Sequence, residues 1–306
     1  MRLSASSAWT YQPSDPNDEV FSQIVEGISL SDLSDTKVVL CGEPYDGAVI
    51  SRKGAAKAPE AIRNQLAKTK THHFDIGSLD SIGDIGNIDT ESSTVRETQQ
   101  EIADVTNELH ASSAFPILVG GDNSVTVGNV EPLLSRRSVG VISLDAHLDC
   151  REVQDQPSSG TPYRQLFESG LDSLVVLGAR HFETSTTYHD YLQSQNGEII
   201  TAEEIGEDVV SSADQAIDAL DDVDCVYISL DMDVLDMSAA PGVSAPTPGG
   251  ILSRELFRLL RLLSAESRIC GFEVVECAPP LDTGTKTVTT AARAIAHFIS
   301  GYQINR

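Results

Sequence analysis

Residues 143–151 read SLDAHLDCR. Asp145, His147 and Asp149 stand at alternate positions, and Arg151 continues the spacing. Alternate residues of an extended segment point the same way, so two carboxylates and one imidazole are expected to converge. A second pair with the same spacing, Asp231 and Asp233, lies in SLDMDVLD. Four carboxylates and an imidazole in one partly buried place repel each other and lose hydration, and divalent cations remove that cost. Oxygen-rich ligation with one or two nitrogens suits manganese better than zinc on thiolates. Two such ions about 3.5–4 Å apart activate a water, whose pKa falls on metal binding from about 15.7 towards 7. The residue types therefore point to a hydrolase with two Mn2+ per chain.

Such groups converge only if the backbone brings them together. Strands are expected at 37–42, 115–120, 139–145, 173–179, 197–200, 225–231 and 268–275, where short apolar runs occur. Helices are expected at 57–67, 91–111, 124–134, 161–169, 211–220, 253–264 and 287–300. Strand–helix alternation predicts an α/β fold with a parallel sheet and helices on both faces. In such sheets, sites gather at the carboxyl ends of strands. GGDNS (120–124), DAHLD (145–149), DMDVLD (231–236) and ECAPPLD (276–282) each follow an expected strand. Residues 1–36 read as a polar arm with turn signals such as PSDPND, and 37–306 as one domain.

The net charge is −25, from 46 acidic and 21 basic residues, only six of them lysine. An acidic surface repels nucleic acid and anionic membranes. With so few lysines it predicts a salt-adapted, cytoplasmic protein. The opening MRLSASSAWTYQPSDPNDEV has no apolar core of a signal peptide, and no run is long enough to span a membrane. The five cysteines form no CxxC pair and lie mostly in apolar runs, so free buried thiols are expected.

Together GGDNS, SLDAHLD, SLDMDVLD and EVVECAPPLD resemble the signature blocks of the ureohydrolase superfamily of arginases and agmatinases. GAAKAPEAIRNQL (54–66) and SIGDIGN (81–87) extend the resemblance across most of the chain. It implies a three-layer α/β/α fold, a parallel sheet of about eight strands, a binuclear manganese site and hydrolysis of a carbon–nitrogen bond. By the same resemblance Asp145 and Asp231 bridge the metals. Asp149 binds the first metal, and His147 and Asp233 the second. Glu276 holds the cationic NH2 groups of the substrate, and Asp149 and Glu276 are the catalytic pair. Asp122 and Asp236 support them. Assembly into trimers or hexamers is implied too.

Two positions depart from the superfamily pattern. Asn123 stands where a histidine usually completes the first metal site, and Tyr163 stands where arginases carry a histidine thought to shuttle protons. The loop CREVQDQPSSGTPYRQLFESG (150–170) supplies Arg151, Ser159, Thr161, Tyr163 and Arg164 as substrate-binding candidates. Two guanidiniums match a dicarboxylate tail through bidentate hydrogen bonds, whereas agmatine has no carboxylate. The loop resembles the formimidoylglutamase branch, which implies a small-molecule substrate, N-formimidoyl-L-glutamate, cleaved to L-glutamate and formamide in histidine breakdown. Agmatinase or another guanidino-acid ureohydrolase is the alternative within the superfamily. A metal-poor, non-catalytic homologue is the alternative outside catalysis.

The charge reading predicts that the melting temperature rises from about 0.1 M to molar salt as repulsion is screened. Melts that are flat or fall over that range contradict it.

Overall fold

Runs rich in valine, isoleucine and leucine become strands here because helices cover both of their faces. The computed structural model describes residues 3–90 and 94–304. Its strands are β1 (Leu3–Ser4), β2 (Val25–Gly27), β3 (Val38–Gly42), β4 (His72–His73), β5 (Gly77–Ser78), β6 (Ile82–Ile88), β7 (Phe115–Val119), β8 (Val139–Leu144), β9 (Ser173–Ala179), β10 (Glu198–Thr201), β11 (Cys225–Asp231) and β12 (Ile269–Val275). Its helices are α1 (Ala58–Leu66), α2 (Val95–Ala111), α3 (Thr126–Leu134), α4 (Pro162–Glu168), α5 (Thr186–Ser194), α6 (Ala202–Glu207), α7 (Val209–Asp218), α8 (Ser253–Ser264) and α9 (Lys286–Ile304). Helix α2 starts after Thr94, whose side chain and that of Glu97 cap each other's backbone N–H groups. Residues 91–93, where a helix is also expected, lie outside the described residues.

The main sheet has the order β1-β6-β3-β7-β12-β11-β8-β9-β10. The eight strands from β6 to β10 are parallel, as the α/β reading requires. Two short strands of the amino-terminal segment extend that set: β1 pairs antiparallel with β6, and β2 pairs parallel with it. Alternate residues serve the two faces. Ile142, Leu144, Val226, Ile228 and Leu230 pack with α1, α7, α8 and α9, while Val139, Val141, Cys225 and Tyr227 pack with α3 and α4.

Register is what places the site. Leu144 lies beside Leu230, Asp231 beside Val275, and Val274 beside Val119. Four neighbouring strands, β7, β12, β11 and β8, therefore end at one level. Within four residues of those ends stand Asn123, Glu276, Asp233 and Asp145.

Three features differ from the sequence expectation. Strand β6 was hidden by its turn-like IGDIGNI; its Asp84 is buried because Arg63 of α1 reaches it at 2.9 Å and Trp9 Nε1 at 2.6 Å. Helices α5 and α6 were not expected, since α5 is largely polar and α6 is short. Cys225 and Cys270 are joined by a disulfide rather than free. They lie on neighbouring strands with Cα atoms 5.9 Å apart, a proximity created by strand pairing alone. Cys41, Cys150 and Cys277 are free and buried. No helix of the described residues is long and apolar enough to cross a membrane.

Gly121 shows how tightly the β7–α3 loop is held. A Cβ there would collide with the backbone of Tyr45, whose carbonyl accepts the Asp122 N–H at 2.8 Å. Overpacking of this kind costs about 1–3 kcal/mol. Gly121→Ala should lower stability by that amount in a denaturant titration, and an unchanged midpoint contradicts the tight approach.

Candidate metal centre

Asp145 follows β8, and its backbone N–H donates to the Leu177 carbonyl of β9 at 3.3 Å. The chain then bends instead of staying extended. The His147 N–H donates to Asp145 Oδ1 at 2.7 Å, and Asp149 takes a φ of 42°. Tyr163 N–H anchors the bend on the Asp149 carbonyl at 3.2 Å. Asp231 ends β11 and accepts the Asp233 N–H at 2.8 Å. Glu276 follows β12 with a φ of 60°, its N–H on the Gly121 carbonyl at 2.8 Å. Positive φ at non-glycine residues stores strain of about 1–3 kcal/mol each, and both such residues here carry carboxyl groups of the site.

The ligand-capable atoms form two groups, each within 4.8 Å: Asp145, Asp149 and Asp231 (the first position), and Asp145, His147 and Asp233 (the second). Asp145 belongs to both, as a bridge must; Asp231, the other bridge expected, falls in the first group. His147 Nδ1 lies 3.1 Å from Asp233 Oδ2 and 3.5 Å from Asp145 Oδ1. Asp145 Oδ2 and Glu276 Oε2 are buried without a hydrogen-bond partner among the described residues. Buried carboxylate oxygens without donors are unusual and call for a cation.

The electrostatics of the site point the same way. Burial, reinforced by Asp145 and Asp233, holds the Asp149 carboxyl well above the ordinary carboxylate range. Burial with Asp233, Asp145 and Glu276 does so for Asp231, and burial with Asp122 for Glu276. Burial opposes a charge on His147, but Asp233 and Asp145 outweigh it and push its pKa up to about 12. The residues fit a pair of divalent metals with oxygen-rich ligation.

Residues 36–301 match the family described as the Arginase family. The chain is 53% identical to a formimidoylglutamase of Halobacterium salinarum, over 96% of this chain and 98% of that one. The chain belongs to the arginase family. Its fold matches the crystal structure of formimidoylglutamase from Bacillus subtilis with a TM-score of 0.91 at 28% identity, covering 96% of this chain and 95% of that one. It also matches Trypanosoma cruzi formiminoglutamase with Mn2+, with a TM-score of 0.82 at 25% identity, covering 92% and 100% of the two chains.

In this arginase-family chain a pocket opens over the acids. His147, Asp149, Asp231, Asp233 and Glu276 form its floor. Arg151, Ser159, Gly160, Ile50, Ser51, Ser244 and Ala245 form its walls. Arg151 makes no ion pair with a described acid; its guanidinium carbon stands 5.4 Å from the centre of the Tyr188 ring. Ser159 N–H holds the Ala48 carbonyl at 2.9 Å.

The other loop candidates do not line the pocket. Arg164 pairs with Glu168 at 3.1 Å and Glu152 at 3.4 Å and lies over Tyr191. Tyr163 is fully buried, its hydroxyl on Ser143 Oγ at 2.7 Å. Thr161 Oγ1 donates to the Ser158 carbonyl at 2.7 Å and accepts the Ser158 N–H at 3.0 Å, closing the loop on itself. The physical reason is common to all three: each meets a local partner that no spacing rule reveals. Asn123 lies at the first position, its Nδ2 on Asp149 Oδ2 at 2.7 Å. Asp122 accepts Ala48 N–H at 2.8 Å and Ser124 N–H at 3.0 Å, and Asp236 accepts Ser238 N–H at 2.9 Å, so both brace loops. Arg180 reaches the Asp233 carbonyl at 2.6 Å and braces the second position.

Sequence reasoning missed Glu183, whose Oε2 lies 3.7 Å from His147 Nε2. At that distance Glu183 is an ion-pair neighbour of His147 and not a hydrogen-bond partner. The signal was available, since Glu183 follows β9 just as the other acids follow their strands. Ser51 and Ser244 were also missed, because they come from loops without a motif.

The shared carboxylate gives a clear contrast. Asp145→Ala should abolish binding of both ions, and Asp149→Ala should cost only the first, measured as manganese content after dialysis. Two retained ions in Asp145→Ala contradict the shared position.

Proposed function

We propose that the chain hydrolyses the amidine carbon–nitrogen bond of N-formimidoyl-L-glutamate, giving L-glutamate and formamide, a step of histidine breakdown. The observation that carries this reading is Arg151, a cation without an acidic partner among the described residues, on the wall of a pocket whose floor is acidic. Positive charge is scarce on this chain, and a guanidinium facing a pocket selects a substrate that brings its own carboxylate. With Arg164 engaged elsewhere, the second carboxylate of the substrate is left to the hydroxyls of Ser159, Ser51 and Ser244. Agmatine offers nothing for these groups.

Asn123, Asp145, Asp149 and Asp231 would hold the first metal, and Asp145, His147 and Asp233, with Asp231 as a second bridge, the other. Two manganese ions, when bound, neutralise the acids and supply an activated water. The chain's own residues do the rest. Glu276 is aimed into the pocket from a strained backbone and receives hydrogen bonds from the planar amidinium. Its Oε1 is fixed by the Asn123 N–H at 2.9 Å, which leaves Oε2 for the substrate. Asp149, on the pocket floor, accepts a proton and returns it to the leaving nitrogen. Arg151 and the hydroxyls hold the tail and set the distance from carboxylate to amidine carbon. The buried Tyr163 hydroxyl serves Ser143 and takes no part in proton transfer. The reading extends to a cytoplasmic, salt-adapted protein, supported by the acidic composition and the halobacterial relative, and to a homo-oligomer, a trimer or hexamer, which the superfamily resemblance alone implies.

Arg151→Ala should keep its metal content. Arg151 is exposed in the free chain, so the figure for a hydrogen bond to a charged group applies, about 1.5–3 kcal/mol, or roughly 10- to 150-fold in kcat/KM. The loss should appear with formimidoylglutamate and be small with formamidine, which lacks carboxylates. An equal loss for both, or none for either, would remove the substrate assignment.

A further inference from the structure

An amide ligates a metal only through its oxygen, so the end of Asn123 that faces the first position decides whether it can serve. Asn123 is buried, and its amide meets two groups: Asp149 Oδ2, 2.7 Å from Nδ2, and Thr126 Oγ1, 2.7 Å from Oδ1. Thr126 Oγ1 also lies 2.6 Å from Glu273 Oε1. Glu273 is fully buried on β12. Its Oε2 accepts from Asn129 Nδ2 at 2.7 Å and from the Tyr227 hydroxyl at 3.1 Å. Asn129 gives its other N–H to Glu43 at 3.0 Å, so its own orientation is fixed.

A hydroxyl carries one proton. Thr126 therefore cannot donate both to Asn123 Oδ1 and to Glu273 Oε1, although it is within reach of both. If its proton goes to Asn123, the amide NH2 faces Asp149. If its proton goes to Glu273, the Thr126 oxygen becomes an acceptor, and only the amide NH2 can fill it. The amide oxygen then faces Asp149 Oδ2 and the first metal position, an approach of two acceptors that a cation held between them, or a proton on Asp149, makes favourable. The two arrangements use the same heavy-atom positions and differ by a half-turn of the amide. Glu273 is surrounded by donors and is built to receive the hydroxyl proton.

We propose that Thr126 and Glu273 are positioning residues that turn the Asn123 amide oxygen towards the first metal position. Glu273 draws the Thr126 proton, and Thr126 draws the amide N–H. The chain thus makes an asparagine serve where the wider superfamily uses an imidazole. This inference rests on the two-metal reading above.

The test is a two-step calorimetric titration of the full chain with manganese alone. Loss of a group that orients a ligand costs roughly 10- to 100-fold in metal affinity. Thr126→Val should weaken the first position by about that factor and leave the second unchanged, while Thr126→Ser should retain wild-type affinity. Thr126→Ala gives the same readout should valine fail to fold. In an Asn123→Asp background both ends of side chain 123 are oxygen, so Thr126→Val should lose most of its effect. Unchanged affinity in Thr126→Val, or an equal loss in both backgrounds, overturns the proposal while leaving the two-metal reading intact. A wild-type chain that binds fewer than two ions sinks both.

Discussion

The repulsion among buried carboxylates governs this structure. Asp145 sits with no exposure, one oxygen unpartnered, in the midst of Asp149, Asp231 and Asp233. Two like charges 4 Å apart repel by about 4 kcal/mol at an effective dielectric of about 20. Several such pairs, if all ionised, exceed what a domain of ordinary marginal stability tolerates, so without a cation Asp149 and Asp231 favour their protonated forms. Part of the answer lies within the chain, in the approach of His147 to Asp233 and Asp145 and the brace of Arg180. The remainder is room for cations, and the donor set is one that divalent ions suit.

The fold imposes this crowding through register. Parallel strands β7, β12, β11 and β8 are neighbours and end at one level, so every residue just beyond them competes for the same space. A parallel sheet permits that because helices cover both faces and leave only the strand ends open. The backbone then turns sharply to aim side chains inward, which is why Asp149 and Glu276 take positive φ. The walls come from elsewhere. Loops around 48–51, 151–160 and 244–245 close over the acids; the Ser159 N–H ties the second to the first, and the Arg151 N–H closes the second on Gly160.

The acids were legible in the sequence because chemistry demands particular residue types and strand ends impose their spacing. DAHLD and DMD could be read as converging groups without knowing which strands were neighbours. The bend at Asp149 was not legible, since an alternating pattern reads as extended. Arg164 and Tyr163 look equivalent to Arg151 in the chain but face Glu152, Glu168 and Ser143, partners fixed by α4 packing. Strand β6 hid behind glycines, and its buried Asp84 is acceptable only because Arg63 arrives from α1. The Cys225–Cys270 bond and the approach of Glu183 to His147 depend on strand and loop neighbours, which no single stretch of sequence encodes.

The central claim is that the shared carboxylate of Asp145 stands between two metal positions. Anomalous diffraction from manganese-loaded crystals tests it most directly. Two peaks are predicted, one among Asp145, Asp149 and Asp231 and one among Asp145, His147 and Asp233. A single peak, or two peaks that do not both touch Asp145, would contradict the account.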